Sequence, residues 1–267
     1  MTAARIPPDG FINTPTARLE FRYKPAAEGA ARPDTTLVFL HEGLGCIDMW
    51  RDFPDTLSAA CGCAQLAYSR KGYGRSGPVA LPRRPDFMHE EAVESLPRVL
   101  AEFPFDRVVY IGHSDGASIA LINAALAAPN NLAGIVLMAP HVFIEQISLD
   151  SIAVAARAYR DTDLRRRLMR YHGERVDGAF WGWNQVWRDA SFADWSLTSM
   201  LADITVPTLL IQGKDDAYGT LKQLDAIAGG VTGPVSRHDL DACGHSPFRD
   251  QADATEQAIV EFVEQLP

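Results

Sequence analysis

The sequence is poor in cysteine, in long apolar runs and in positive charge. Its 267 residues contain four cysteines: Cys46, Cys61, Cys63 and Cys243. They form no C-x-x-C pair and no metal-ligand spacing, so neither a disulfide framework nor a structural metal site is expected. They read as reduced thiols of a cytoplasmic protein. No apolar stretch approaches the roughly 18 residues of a membrane span. The first residues, MTAARIPPDGF, lack the apolar core of a secretion signal. Acidic residues outnumber basic ones, 34 to 25, for a formal charge of −9. That balance argues against nucleic acid and anionic membrane as partners. Repeats and low-complexity tracts are absent, and the Pro-rich PVALPRRP at 78–85 is a short surface loop.

What is present is an ordinary globular composition, 47% hydrophobic and 22% charged. The chain is long enough for one large α/β domain or for a domain with an insertion. Apolar runs of strand length recur at Thr36–Leu40, Ala64–Tyr68, Arg107–Ile111, Gly134–Ala139 and Thr208–Ile211. Near-continuous Val/Ile/Leu runs suit strands buried on both faces, as in a parallel sheet. Residues 17–25, ARLEFRYKP, alternate apolar and polar and suit an antiparallel edge strand. Helical stretches are expected at about 48–60, 88–102, 116–128, 219–229 and 250–265, giving a doubly wound α/β sheet.

One stretch breaks this rhythm. From Val142 to Asp203 the sequence has helical period and no strand-like run. It holds four of the five tryptophans: Trp181, Trp183, Trp187 and Trp195. A helical insertion of this kind predicts a cap, residues 142–203, over a core formed by 1–141 and 204–267. The cap would sit at the carboxyl ends of the strands, where such sheets bind ligands. Aromatic residues at helical spacing are first of all core formers, so the tryptophans are expected to build the cap's own interior. Part of their ring surface is left for the pocket.

The chemistry concentrates in VVYIGHSDGAS, residues 108–118. A buried strand runs into Gly112-His113-Ser114-Asp115-Gly116, and a helix opens behind it. Glycine and serine are ordinary turn and cap residues. A serine between two glycines at a strand-to-helix junction also matches a nucleophile elbow, where no Cβ is tolerated beside the strained turn. A serine nucleophile needs a base, and the base an orienting carboxylate, in the chain order Ser, acid, His. After the strand TLLIQG come Lys214-Asp215-Asp216. Asp216, three residues beyond the turn glycine, fits the acid better than Asp215, which stays the alternative. After Val235–Leu240 comes Asp241-Ala242-Cys243-Gly244-His245, so His245 is expected to be the base. His89 and His172 read as helix-surface residues and His238 lies within a strand. His41, His113 and His141 stand at strand ends, where they could line a pocket. An oxyanion hole needs two fixed N–H donors. The N–H of Asp115 follows the nucleophile, and the glycine-bearing loop His41-Glu42-Gly43-Leu44-Gly45 offers the second at Leu44.

With these four loops in order, the chain resembles the α/β-hydrolase fold family over about residues 17–265. Its Lys71-Gly72-Tyr73-Gly74-Arg75-Ser76 is similar to the family's R-G-x-G-x-S turn, with Lys71 in the Arg position. The resemblance implies Ser114 as nucleophile, His245 as base, Asp216 as orienter and a helical cap after the sixth strand. The chain departs from the family's usual His-Gly at Glu42, which leaves the donor's register open by one residue. It also carries Asp115 where many relatives have Met or Gln. Both acids argue against an anionic acyl group beside them. The expected reaction is hydrolysis of small to medium carboxylic esters through an acyl-enzyme, without cofactor or metal. Carbon–carbon bond hydrolysis and thioester hydrolysis are the alternatives with the same residues. Dehalogenation and epoxide hydrolysis would want Asp at position 114. A binding-only scaffold usually loses one of the three residues, and all three are here.

Overall fold

The computed structural model describes residues 7–267. The first six residues lie outside them. Eight strands form one sheet in the order β1-β2-β4-β3-β5-β6-β7-β8. The strands are β1 (Asp9–Asn13), β2 (Arg18–Lys24), β3 (Thr35–Leu40), β4 (Ala64–Tyr68), β5 (Arg107–His113), β6 (Leu132–Met138), β7 (Thr208–Gly213) and β8 (Val235–Leu240). From β4 to β8 neighbouring strands run parallel, whereas β2 joins both β1 and β4 antiparallel.

Among the described residues, ten α-helices connect and cover them. They are α1 (Phe53–Cys61), α2 (Phe87–Glu90), α3 (Leu96–Ala101), α4 (Asp115–Leu126), α5 (Gln146–Asp161), α6 (Leu164–His172), α7 (Val176–Trp187), α8 (Lys222–Gly230), α9 (Pro247–Asp250) and α10 (Ala252–Gln265). A π-helical turn over Glu91–Ser95 joins α2 to α3.

The alternation of the strands sorts the core into two layers. Leu37, Phe39, Val109, Ile111, Val136, Leu209 and Ile211 face one way, onto Trp50, Phe53, Leu57, Phe248 and Ile259. Val38, Leu40, Tyr110, Ile135, Leu137 and Leu210 face the other, onto α2 to α4 and the helices that follow β6. Each fully buried aliphatic or aromatic side chain of this kind contributes about 1.5–3 kcal/mol. Helix α4 is buried at every residue from Asp115 to Ala124, so its position behind β5 is tightly fixed.

Two boundaries differ from expectation. The strand at 17–25 is not at the edge: β1 lies outside it, pairing Asp9 with Arg22 and Asn13 with Arg18. The segment DGFIN buries only Ile12, so it carries almost no strand signal. The helix expected from 219 starts at Lys222. The Glu145 carboxylate holds Thr220 by its N–H (2.9 Å) and its hydroxyl (2.7 Å), keeping the chain in a turn there. Between β6 and β7 lie α5, α6 and α7 with short 3-10 turns, and the one strand-like feature there is a single bridge between Phe143 and Ser196.

Candidate active site

Ser114 occupies the turn from β5 into α4 with φ of 53°. A side-chain-bearing residue adopts this left-handed conformation only at a cost, and such residues gather at functional sites. The turn is held by the Ser114 N–H donating to Met138 C=O at 2.9 Å. Its two glycines are required by space: a Cβ on Gly116 would strike the Leu40 carbonyl, and one on Gly112 would lie 2.6 Å from Ala117 Cα.

Three residues from three loops meet here. Ser114 Oγ lies 3.0 Å from His245 Nε2. His245 Nδ1 lies 2.9 Å from each carboxylate oxygen of Asp216. A carboxylate facing Nδ1 assigns the proton to that nitrogen, which leaves Nε2 to accept from the serine hydroxyl. Asp216 also accepts from the Tyr218 N–H (2.8 Å) and from Gln212 Nε2 (3.2 Å). Burial alone would raise its pKa, but His245 and the Tyr218 N–H outweigh it and hold the carboxyl below its usual range. Asp215, the alternative acid, is exposed and does not face His245.

The loop after β3 forms a tight turn, closed by the Gly45 N–H donating to Glu42 C=O at 3.0 Å. The buried Arg70 guanidinium donates to the same carbonyl at 2.8 Å and to His41 C=O at 3.3 Å. In a planar trans peptide the N–H opposes the C=O, so the Gly43 N–H is turned away from Arg70. Among the described residues, the N–H groups of Gly43, Leu44 and Asp115 donate to no protein acceptor. All three residues line one cavity with Ser114 and His245. Gly43 lies within the one-residue register left open around Leu44 by the sequence. The extra Glu42 obscured it by displacing the familiar His-Gly pair.

The cavity measures about 120 Å³ and is mostly apolar. Ile152 of α5 and Trp183 and Trp187 of α7 form one wall, while His141 and Tyr218 flank His245. Trp183 and Trp187 are also core residues, 7% and 3% exposed, so they serve the helices' interior and the cavity together. Trp187 Nε1 donates to Asp115 Oδ1 at 3.2 Å, tying α7 to the turn that carries Ser114. Arg70 stands 3.8 Å from the other oxygen of Asp115. Burial raises the Asp115 pKa, and Arg70 and Arg83 oppose it. Glu42 is different. Burial pushes its pKa up, yet contact with His113 and the nearby His41 bring it down to about 2, so it is ionised at neutral pH.

The histidines correct the sequence reading. His172 is not a surface residue but 1% exposed. Its Nδ1 accepts from the Gly74 N–H at 3.0 Å and its Nε2 donates to Leu44 C=O at 2.9 Å. Helix α6 is thereby bolted to the loop that carries Leu44, a link between residues 128 apart that no local pattern reveals. Replacing it by Ala strands a buried N–H and a buried C=O. His172→Ala is expected to lose about 2–5 kcal/mol of unfolding free energy, with His172→Gln recovering part. Urea titration of the two variants measures this, and a loss below about 0.5 kcal/mol in His172→Ala would refute the bolt. His113 is buried and donates from Nε2 to the His245 carbonyl at 2.6 Å, fixing that loop rather than lining the cavity. His41 accepts from the Arg70 N–H at 3.0 Å, behind the Glu42 turn. Only His141 of the three strand-end histidines reaches the cavity.

Among the described residues, no group of three or more His, Cys, Asp or Glu side chains is arranged to hold a metal ion. No described helix is long and apolar enough to cross a membrane. All four cysteines are buried and unpaired.

Comparison with known proteins agrees with this architecture. A model of the alpha/beta hydrolase family matches residues 37–258. The chain is 21% identical over 272 residues to the 2-hydroxy-6-oxo-6-phenylhexa-2,4-dienoate hydrolase of Comamonas testosteroni, covering 91% of each. Among solved structures it is similar to an esterase from Exiguobacterium antarcticum, with a TM-score of 0.76, 18% identity and coverage of 96% of this chain and 99% of that one. It is also similar to the enol-lactonase of Burkholderia xenovorans LB400, with a TM-score of 0.73, 18% identity and coverage of 96% and 100%. Identities this low speak for the fold alone, whereas the family model spans most of the chain. The chain belongs to the alpha/beta hydrolase family.

Proposed function

We propose that the protein is a serine hydrolase that cleaves small to medium carboxylic esters through an acyl-enzyme. The observation that carries this reading is the hydrogen-bonded series Ser114 Oγ, His245 Nε2 at 3.0 Å, and His245 Nδ1 to Asp216 at 2.9 Å. His245 takes the Ser114 proton as Oγ attacks the acyl carbon, then gives it to the departing alcohol oxygen. The new Oγ–C bond is cleaved by a water whose proton passes to His245, which releases the acid and returns the proton to Oγ. The N–H groups of Asp115 and Leu44, with Gly43 beside them, hold the developing oxyanion. A missing donor of this kind costs about 10²–10³ in rate. No cofactor enters these steps. Residues 142–203 serve as the cap, closing an apolar cavity over the serine.

The charge of the cavity favours an uncharged substrate. No Lys or Arg lines it, while the ionised Glu42 does. The similarity to the Comamonas 2-hydroxy-6-oxo-6-phenylhexa-2,4-dienoate hydrolase supports a second reading, in which the same residues cleave a C–C bond of a dioxo-type acid. That reading calls for a cation to anchor a substrate carboxylate, and the cavity lining supplies none. Thioesters would use the same steps as esters.

The test is a series of p-nitrophenyl esters from acetate to octanoate. Turnover is expected to be highest for short acyl chains and to fall by octanoate, since the cavity over Ser114 is small. Inactivity on every member would refute the ester reading and transfer the search to thioesters and carbon–carbon substrates.

A further inference from the structure

His141 differs from every other buried histidine in the site. His41, His113 and His172 each have at least one ring nitrogen hydrogen-bonded to the protein. Among the described residues, neither ring nitrogen of His141 makes a hydrogen bond to the protein, and Nδ1 is fully buried in a residue only 3% exposed. Buried polar groups without partners are rare and call for an explanation. A poorly fixed side chain is not the explanation here. The chain reaches His141 through Ala139, which holds a strained φ of 48°. Its C=O then accepts from Ser118 Oγ at 2.6 Å, and its N–H donates to the same oxygen at 3.3 Å.

The ring is held as firmly as the backbone. It stands edge-on to Trp187, with centroids 5.2 Å apart, and 5.8 Å from the His245 ring. Its Cε1–Nδ1 edge packs on Gly219, where an added Cβ would come within 3.2 and 3.5 Å of those atoms. Nδ1 is sealed from solvent on that side. Burial drives the pKa down to about 3, so the ring stays neutral at any working pH. An unpartnered acceptor is tolerated in the interior better than an unpartnered N–H. The proton is therefore assigned to Nε2, away from Gly219, in a residue that lines the cavity with Ser114 and His245. The outcome is a fixed, permanently neutral N–H donor beside the base, in a cavity whose walls are otherwise mostly apolar.

We infer that His141 reads the substrate: its Nε2–H donates a hydrogen bond to a second oxygen, in addition to those of the scissile ester, of the molecule bound at Ser114. The preferred substrates are then esters that carry an ether, hydroxyl or further carbonyl oxygen next to His245, and plain alkyl esters are poorer because they leave this donor unpaired. This inference rests on the ester reading of the site. It assigns His141 to binding and specificity, and His245 alone to proton transfer.

Isosteric pairs test it. The 2-methoxyethyl and n-butyl esters of one acid differ by an oxygen for a methylene in the alcohol half. The ethyl esters of 3-methoxypropanoate and pentanoate differ in the same way in the acyl half. For one of the two pairs the wild type is expected to favour the oxygenated member by about 10-fold in kcat/KM. His141→Phe keeps a ring against Trp187 but has no donor. It is expected to abolish that preference, whatever its effect on the rate for the alkyl member. His141→Leu serves as a second donor-free variant, with thermal unfolding to establish which of the two is folded. Inductive effects of the extra oxygen cancel, because the wild-type ratio is compared with the variant ratio. A wild type that shows no preference in either pair overturns the inference, as does a preference that persists in either folded variant. If the wild type hydrolyses none of the four esters, the ester reading fails and this inference falls with it. Hydrolysis without discrimination sinks the inference alone.

Discussion

Ser114→Ala is expected to lower kcat on p-nitrophenyl esters by more than about 10⁴, with unfolding temperature nearly unchanged. Activity should collapse because Oγ is the only atom within 3.0 Å of His245 Nε2 that can form the acyl-enzyme. What survives is the smaller acceleration from binding and from N–H groups around the carbonyl. Stability should hold because Ser114 is the first residue of a turn fixed by its own N–H bond to Met138 C=O, which alanine keeps. Alanine also adopts the φ of 53° at a cost similar to serine's. A fluorophosphonate probe gives an independent readout, labelling the wild type at Ser114 and leaving the variant unlabelled. A variant that keeps even a tenth of wild-type turnover shows that another nucleophile does the work. A wild type that neither labels nor turns over esters points to a binding scaffold.

The frame of this protein was readable because its determinants are local. The runs TLVFL and TLLIQG are apolar at every position, and such runs become strands covered on both faces. Elements with weak local signals were lost or shifted. Strand β1 is DGFIN, with one buried side chain, and it exists because β2 offers it a partner. The start of α8 was displaced by Glu145, a residue 75 positions from the Thr220 it holds. The candidate site divides along the same line. Ser114, Asp216 and His245 stand in loops that the strand order itself places together, so their meeting could be expected from spacing. The residues around them could not be read this way. Nothing local distinguishes His172 on α6 from a surface histidine, since its partners, Gly74 and Leu44, come from two distant loops. His113 and His141 look alike as residues at strand ends. Only packing makes one of them a brace for the His245 loop and the other a wall of the cavity. Position within an element could thus be inferred from pattern, but the direction of a side chain required its neighbours.

Asp216→Asn is expected to lower kcat by about 10⁴ while Asp215→Asn leaves it unchanged. Both oxygens of Asp216 lie 2.9 Å from His245 Nδ1, so this carboxylate accepts the Nδ1 proton whichever oxygen is used. An asparagine keeps the shape but offers one acceptor and one NH₂. Gln212 Nε2 (3.2 Å) and the Tyr218 N–H (2.8 Å) already donate to the two oxygens, so the amide must place its NH₂ against a donor or turn it toward His245. With the NH₂ toward Nδ1, the imidazole proton moves to Nε2, and the nitrogen facing Ser114 can no longer accept. The loss should therefore fall on kcat, with KM little altered. Asp215 is exposed and bonds to His245 through neither oxygen, so its amide variant is the matched control. Stability supplies a second readout with a defined sign. The folded pKa of Asp216 lies below its ordinary value of 3.8, so ionised Asp216 contributes stability that is present above that value. The contribution is lost as pH falls through the folded pKa. The stability gap between wild type and Asp216→Asn should accordingly be widest near neutrality and narrow in acid. Equal losses of kcat in the two asparagine variants would show that His245 takes its orientation from the loop rather than from the one carboxylate it faces.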